Sequence, residues 1–150
     1  MVLSWLLAGV ALLAPQTTAD WRLVHNTTQQ MYAIELSSIE ADAEGGPIAR
    51  MAGVWREPPS INGQATDYMG SKLQIRCEDS HFRLLEVSGN NVGGEVVWSE
   101  AIPTAWHEIN PSSSYGSAAR ALCSDEWPRK TLFQDPDQLV MVARHMWSSE

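Results

Sequence analysis

Polar and apolar side chains alternate most strictly between Ser71 and Val87. Leu73, Ile75 and Cys77 are interleaved with Lys72, Gln74 and Arg76, the pattern of a half-buried strand whose successive side chains point to opposite sides of a sheet. Glu78-Asp79-Ser80 supplies turn chemistry, and His81 to Val87 reads as the returning strand. The same period opens the chain: Asp20 to His25, with Trp21 and Leu23 on one face, and Met31 to Leu36, joined by polar Asn26 to Gln30, predict a hairpin. Ser37 to Glu40 fits one helical turn, and Glu44-Gly45-Gly46-Pro47 forces a reversal. Ile48 to Arg56 is a third strand, with Met51, Gly53 and Trp55 opposite Ala52 and Val54, stopped by Pro58-Pro59. Residues 58–70 have no period and read as a long loop. Ser88 to Gly94 reads as a flexible connection, Glu95 to Ile102 as a further strand carrying Val96 and Trp98, and Pro103 to Trp106 as the exit from the sheet.

Two segments switch to the helical period. Pro111-Ser112-Ser113-Ser114 offers capping hydroxyls ahead of the stripe Tyr115, Ala118, Ala119, Leu122 and Cys123. Asp135-Pro136, a cap followed by proline at the first helical position, precedes Leu139, Val142, Ala143, Met146 and Trp147. This second stripe reads as packing on the sheet or on the first helix, with a partner-binding face as its alternative. Cys77 and Cys123 stand alone in the chain, one on a strand and one on a helix. They point to a single staple between the two, the alternative being two separate buried thiols.

The first nineteen residues carry no charged side chain and hold an apolar block from Trp5 to Ala14, then small residues at Thr17-Thr18-Ala19. This reads as a secretory signal cleaved before Asp20, because the block is shorter than the roughly 20 apolar residues that span a bilayer. No lipidation cysteine follows it. The predicted location is therefore periplasmic or secreted, with no transmembrane segment once the signal is removed, in a compartment where disulfides persist. The 150 residues divide into the signal 1–19, a domain 20–124 and an extension 125–150, and 44% hydrophobic residues suffice for one core. A net charge of −8 disfavours nucleic acid as a partner.

Catalytic patterns are weak. Gly116-Ser117-Ala118 comes nearest to a nucleophile elbow, without the Gly-x-Ser-x-Gly spacing or the strand-to-helix context. His25, His81, His107 and His145 are scattered singly; His81 beside Glu78 and Asp79 is the one weak metal candidate, with a solvated turn as the plainer reading. Glu78-Asp79 and Asp125-Glu126 lie in polar stretches that give no reason for a catalytic pKa. No phosphate loop follows a strand. Of the tryptophans, Trp21, Trp55 and Trp98 fall at strand positions and read as core, whereas Trp106 and Trp127 lie in connections. The binding candidates are Tyr68, Trp106 and His107, carried by loops on a rigid scaffold.

The ordered set Trp21, Leu23-Val24, Tyr32-Ala33-Ile34, Ser37-Ser38-Ile39, Val54-Trp55, Cys77, Arg83-Leu84-Leu85, Gly94 to Val97, Trp106, Ile109, Pro111-Ser112-Ser113 and Cys123 resembles the bacterial surface-adhesin protein E-like domain family over residues 20–124. The resemblance implies an α+β fold: an antiparallel sheet of about six strands, a C-terminal helix on one face tethered by a Cys77–Cys123 bridge, and here an extra amphipathic helix. With a signal segment and no catalytic machinery visible in the residues, the leading reading is an exported, non-catalytic envelope module with an unknown protein ligand or envelope component as partner, no cofactor and no metal. Its sharpest, adhesin-like form is what the resemblance alone implies. The alternatives are a periplasmic enzyme or metal-binding protein whose site assembles only in the fold, and a structural envelope component. The missing lipidation cysteine and residues 125–150 depart from the family pattern.

Overall fold

The computed structural model describes residues 20–61, 63–101 and 104–150. The expected signal segment 1–19 and the expected strand end at Ile102 lie outside these. Ten strands occur in chain order: β1 (Trp21–Asn26), β2 (Gln30–Glu35), β3 (Ile48–Trp55), β4 (Ser60–Ile61), β5 (Gln64–Ala65), β6 (Tyr68–Arg76), β7 (His81–Asn91), β8 (Glu95–Glu100), β9 (His107–Glu108) and β10 (Leu132–Phe133). The helices are α1 (Ser114–Ser124) and α2 (Pro136–Ser148), with a 3-10 turn at Leu36–Ser38.

The main sheet has eight strands in the order β10-β1-β2-β3-β6-β7-β8, with β9 also on β7, and every pairing is antiparallel. Six of the eight are the long strands expected from alternation; β9 and β10 are two-residue additions. The loop expected over 58–70 instead contains the β4–β5 hairpin and the start of β6. Likewise, the connection expected at 88–94 is mostly β7, which runs on to Asn91 before a turn through Gly93 and Gly94 at positive φ.

The two faces of the sheet carry separate cores. On the first, Val24, Tyr32, Ile34, Ala49, Met51, Leu73 and Ile75 pack beneath Ala118 and Ala121 of α1. On the second, Trp21, Leu23, Met31, Ala33, Ala52 and Val54 pack beneath Leu139, Val140, Ala143 and Trp147 of α2. The 125–150 segment therefore supplies β10, which pairs with β1 through Trp21 and Phe133, and the helix that covers the second face. Within α2, Val140 is buried whereas Met146, expected in the stripe, is 41% exposed.

Both helices begin as their sequences direct. Ser113 accepts from the Gly116 amide, and Asp135 from the Gln138 amide, with Pro136 in the first turn. Cys77 and Cys123 are bridged, closing a separation of 46 residues. Both are exposed: Cys77 opens the turn after β6 and Cys123 sits in the last turn of α1, so the staple lies at the rim rather than in the core. Gly46, at φ +117, approaches so closely that a Cβ there would stand 1.8 Å from the Ile75 carbonyl oxygen, which fixes the 44–46 turn against β6.

Candidate functional site

α2 covers only part of the second face. It spans β1, β2 and β3, and the β6–β7 half beyond it carries polar side chains. Period two places Tyr68, Gly70, Lys72, Gln74 and Arg76 of β6 on that face, opposite Asn90, Ser88, Glu86, Arg83 and His81 of β7. A bulge between Lys72 and Leu73 leaves Leu85 without a partner and keeps both strands in phase on either side of it.

The upper part of this strip is a groove of about 150 Å³. Ala52, Gly70 and Ser88 form its floor, in register across β3, β6 and β7. A Cβ at Gly70 would lie 2.6 Å from Ser88 Oγ, so the missing side chain is what keeps the floor open. One end is charged: Arg50 pairs directly with Lys72, and Lys72 with Glu86. The other end is Trp21, Tyr68, Asn90 and the α2 start at Pro136. Asn90 is 94% buried, and its amide donates to Ser88 Oγ at 2.9 Å. Burial, followed by the nearby charges of Asp137, Asp135 and Asp67, raises the Tyr68 phenol and keeps it protonated. Asp67 and Asp137 hold this end together. Asp67 accepts from the Val92 amide and pairs with Arg144, and Asp137 accepts from the Gly93 amide at 2.7 Å. The Val92 amide, more than Arg144, holds the Asp67 carboxyl below its usual range.

Below the bulge, Gln74 is polar yet 99% buried, because its amide donates to the Glu44 and Gly46 carbonyls at 2.8 and 3.1 Å and its oxygen accepts from Arg83. Arg76 and Arg83 then flank Trp106, with guanidinium carbons 4.5 and 4.7 Å from the ring centroid. Tyr68, only 8% exposed, and Trp106 therefore lie at opposite ends of one strip, with Lys72 open and Gln74 covered by the 44–46 turn between them. His107 is elsewhere: its ring lies against Phe82, 5.6 Å between centroids, and Phe82 stacks on Tyr115 of α1.

A second assembly was not visible in sequence. A bulge between Leu23 and His25 turns His25 toward α1, where Nδ1 stands 2.9 Å from Ser117 Oγ. Arg120 donates to the same Oγ at 3.1 Å. Burial, then the Arg120 charge, lowers the His25 pKa, favouring the neutral ring. Beside it Tyr32 covers Gly53, where a Cβ would fall 2.4 Å from the ring, and burial pushes its phenol up to about 12. His81 Nδ1 lies 2.8 Å from the Asp79 carbonyl and 3.4 Å from its carboxylate. Among the described residues no group of three His, Cys, Asp or Glu side chains is placed to hold a metal, and no helix is long and apolar enough to cross a membrane.

Compared with known proteins, the chain finds no match among protein-family models, curated proteins or solved structures.

Proposed function

We propose that this chain is an exported, non-catalytic binding module of the bacterial envelope, with a protein as its ligand, adhesin-like in the sense of the surface-adhesin protein E-like domain. The observation that carries the reading is the half-covered second face. The groove lies on regular strands, and Trp106, in the connection before β9, is held by Arg76 and Arg83 of β6 and β7. These side chains are in place before any ligand arrives, and preorganisation of that kind lowers the cost of association. The surface disulfide supports an oxidising location, since exposed bridges persist there. Tyr68 and Trp106 contribute as the two aromatic ends of the strip. His107, on the opposite face, is a separate candidate.

The test is saturable binding. The exported, purified protein, bridge intact, is passed by interferometry over a panel of purified envelope and matrix proteins, and in parallel incubated with ester, phosphate and peptide substrates. Saturable binding to a panel member without turnover is expected. Turnover with no saturable binding contradicts the proposal.

The Ser117–His25–Arg120 assembly favours a second, hydrolytic reading. A hydroxyl donating to a neutral imidazole is the first half of nucleophilic catalysis. Against it, Ser117 is only 8% exposed and no carboxylate orients His25 among the described residues. Ester turnover abolished by both Ser117→Ala and His25→Gln would establish it; turnover indifferent to either, or absent, removes it.

A further inference from the structure

We infer that the groove on the second face takes a carboxylate next to an apolar group, the pattern of a peptide's C-terminal residue. The inference rests on the binding-module reading and names the chemistry that this site recognises.

Arg50 and Lys72 stand directly opposite on β3 and β6. Cross-strand neighbours of like charge lie about 5 Å apart and destabilise the pairing. Neither cation is in an ion pair among the described residues, and Glu86, though opposite Lys72, forms none with it. Arg56, Arg76 and Arg144 have carboxylate partners and Arg22, Arg83, Arg120, Arg129 and Lys130 have none among the described residues, so what marks this site is the direct pairing of Arg50 with Lys72. Two like charges held side by side at the mouth of a groove fit one anion bridging both, and a planar carboxylate matches the guanidinium fork. On a chain of net charge −8, such an anion is repelled at long range and is held only where cations are local.

The other end of the groove sets the second half of the ligand. Trp21 and Tyr68, each exposed by less than a tenth, and Pro136 present their apolar edges two rows of side chains from Arg50 and Lys72, past the bare Gly70. From Lys72 to Tyr68 four residues along the strand span about 13.6 Å, a distance that the long Arg50 and Lys72 side chains and a ligand of one or two residues can share. A volume of about 150 Å³ admits one side chain and not a bulky ligand. Glu86 borders the charged end and disfavours a second carboxylate there.

The test needs no partner protein. N-acetyl-leucine is titrated into the purified, bridged protein and followed by backbone amide shifts, with N-acetyl-leucinamide, acetate and inorganic phosphate as separate arms. Shifts clustered at Gly70–Lys72 and Glu86–Asn90 are expected, with the amide and acetate about tenfold weaker. Arg50→Gln/Lys72→Gln should weaken the acid about tenfold, Glu86→Gln should tighten it, and Arg129→Gln/Lys130→Gln, an equal charge change elsewhere, should leave it unchanged. The acid and its amide binding equally, the 129/130 pair weakening binding as much as the 50/72 pair, or no acid-dependent shift would each overturn the inference. Phosphate matching the acid would mark a general anion patch and overturn the peptide chemistry. An acid-binding groove with no protein ligand on the panel would instead count against the broader proposal alone.

Discussion

The two faces of one sheet obey different rules. Across the first, apolar positions extend from Val24 on β1 to Leu84 on β7, α1 lies over them, and Ile109 after the edge strand β9 joins the same core. On the second, the same strands are apolar under α2 and then turn polar: Ala33, Ala52 and Val54 give way to Gly70, Lys72, Gln74, Glu86 and Ser88. Gln74 is covered by the 44–46 turn, which satisfies its amide, whereas Lys72 and Glu86 keep access to solvent, because burying such charges unpaired costs far more than it returns. The first face holds the fold; in the proposed reading the second divides its area between fold and contact.

The largest expected effect breaks that division. Ending the chain at Arg129 removes β10 and α2 and uncovers Trp21, Met31, Ala33 and Val54. Leu139, Val140 and Trp147 each contribute about 1.5–3 kcal/mol on burial, so the truncated chain should melt far lower and bind an apolar dye strongly; unchanged melting would leave α2 as a detachable partner face. Reducing the Cys77–Cys123 bridge, which closes 46 residues, should cost about 4 kcal/mol in the chain-entropy model, read from denaturant midpoints with and without reductant.

Adjacent residues sharpen the comparison further. Leu73 is fully buried on the first face and Lys72 stands on the open part of the second. Leu73→Ala should lose about 2–5 kcal/mol, whereas Lys72→Ala should stay within about 0.5 kcal/mol. Similar losses at both positions would mean that the second face is covered. The smallest effect is a pH dependence. His25 has a lowered pKa in the fold, so the unfolded chain binds its proton more readily; stability is undiminished above the ordinary value of 6.5 and falls as pH drops through that value toward the lowered one. The melting temperature should decline below about pH 6.5, and His25→Gln should flatten that part of the profile.

Much of this was readable from period alone. The six long strands, both helix caps and the strand–helix staple follow from alternation, hydroxyl or carboxylate caps and two lone cysteines. The same alternation places Tyr68, Gly70, Lys72, Gln74 and Arg76 on one face, so a polar row was there to be seen. What hid it was Gln74, whose burial depends on carbonyls from a turn thirty residues away in sequence. His25 was illegible for a different reason. Strict period two puts it with Trp21 and Leu23, and only the bulge after Leu23 turns it to Ser117. The groove itself depends on where α2 stops, and the sequence of α2 does not state where its helix lies across the sheet.

The claim at the centre of this account is that the uncovered β6–β7 half of the second face is the contact surface. Hydrogen exchange of the protein bound to a panel ligand, compared with the free protein, measures it directly. Added protection at Gly70–Lys72 and Glu86–Asn90, with the α1 face unchanged, is the predicted result. Protection confined to α1 or to the outer edge at Glu95–Glu100, with those segments unaffected, would contradict it.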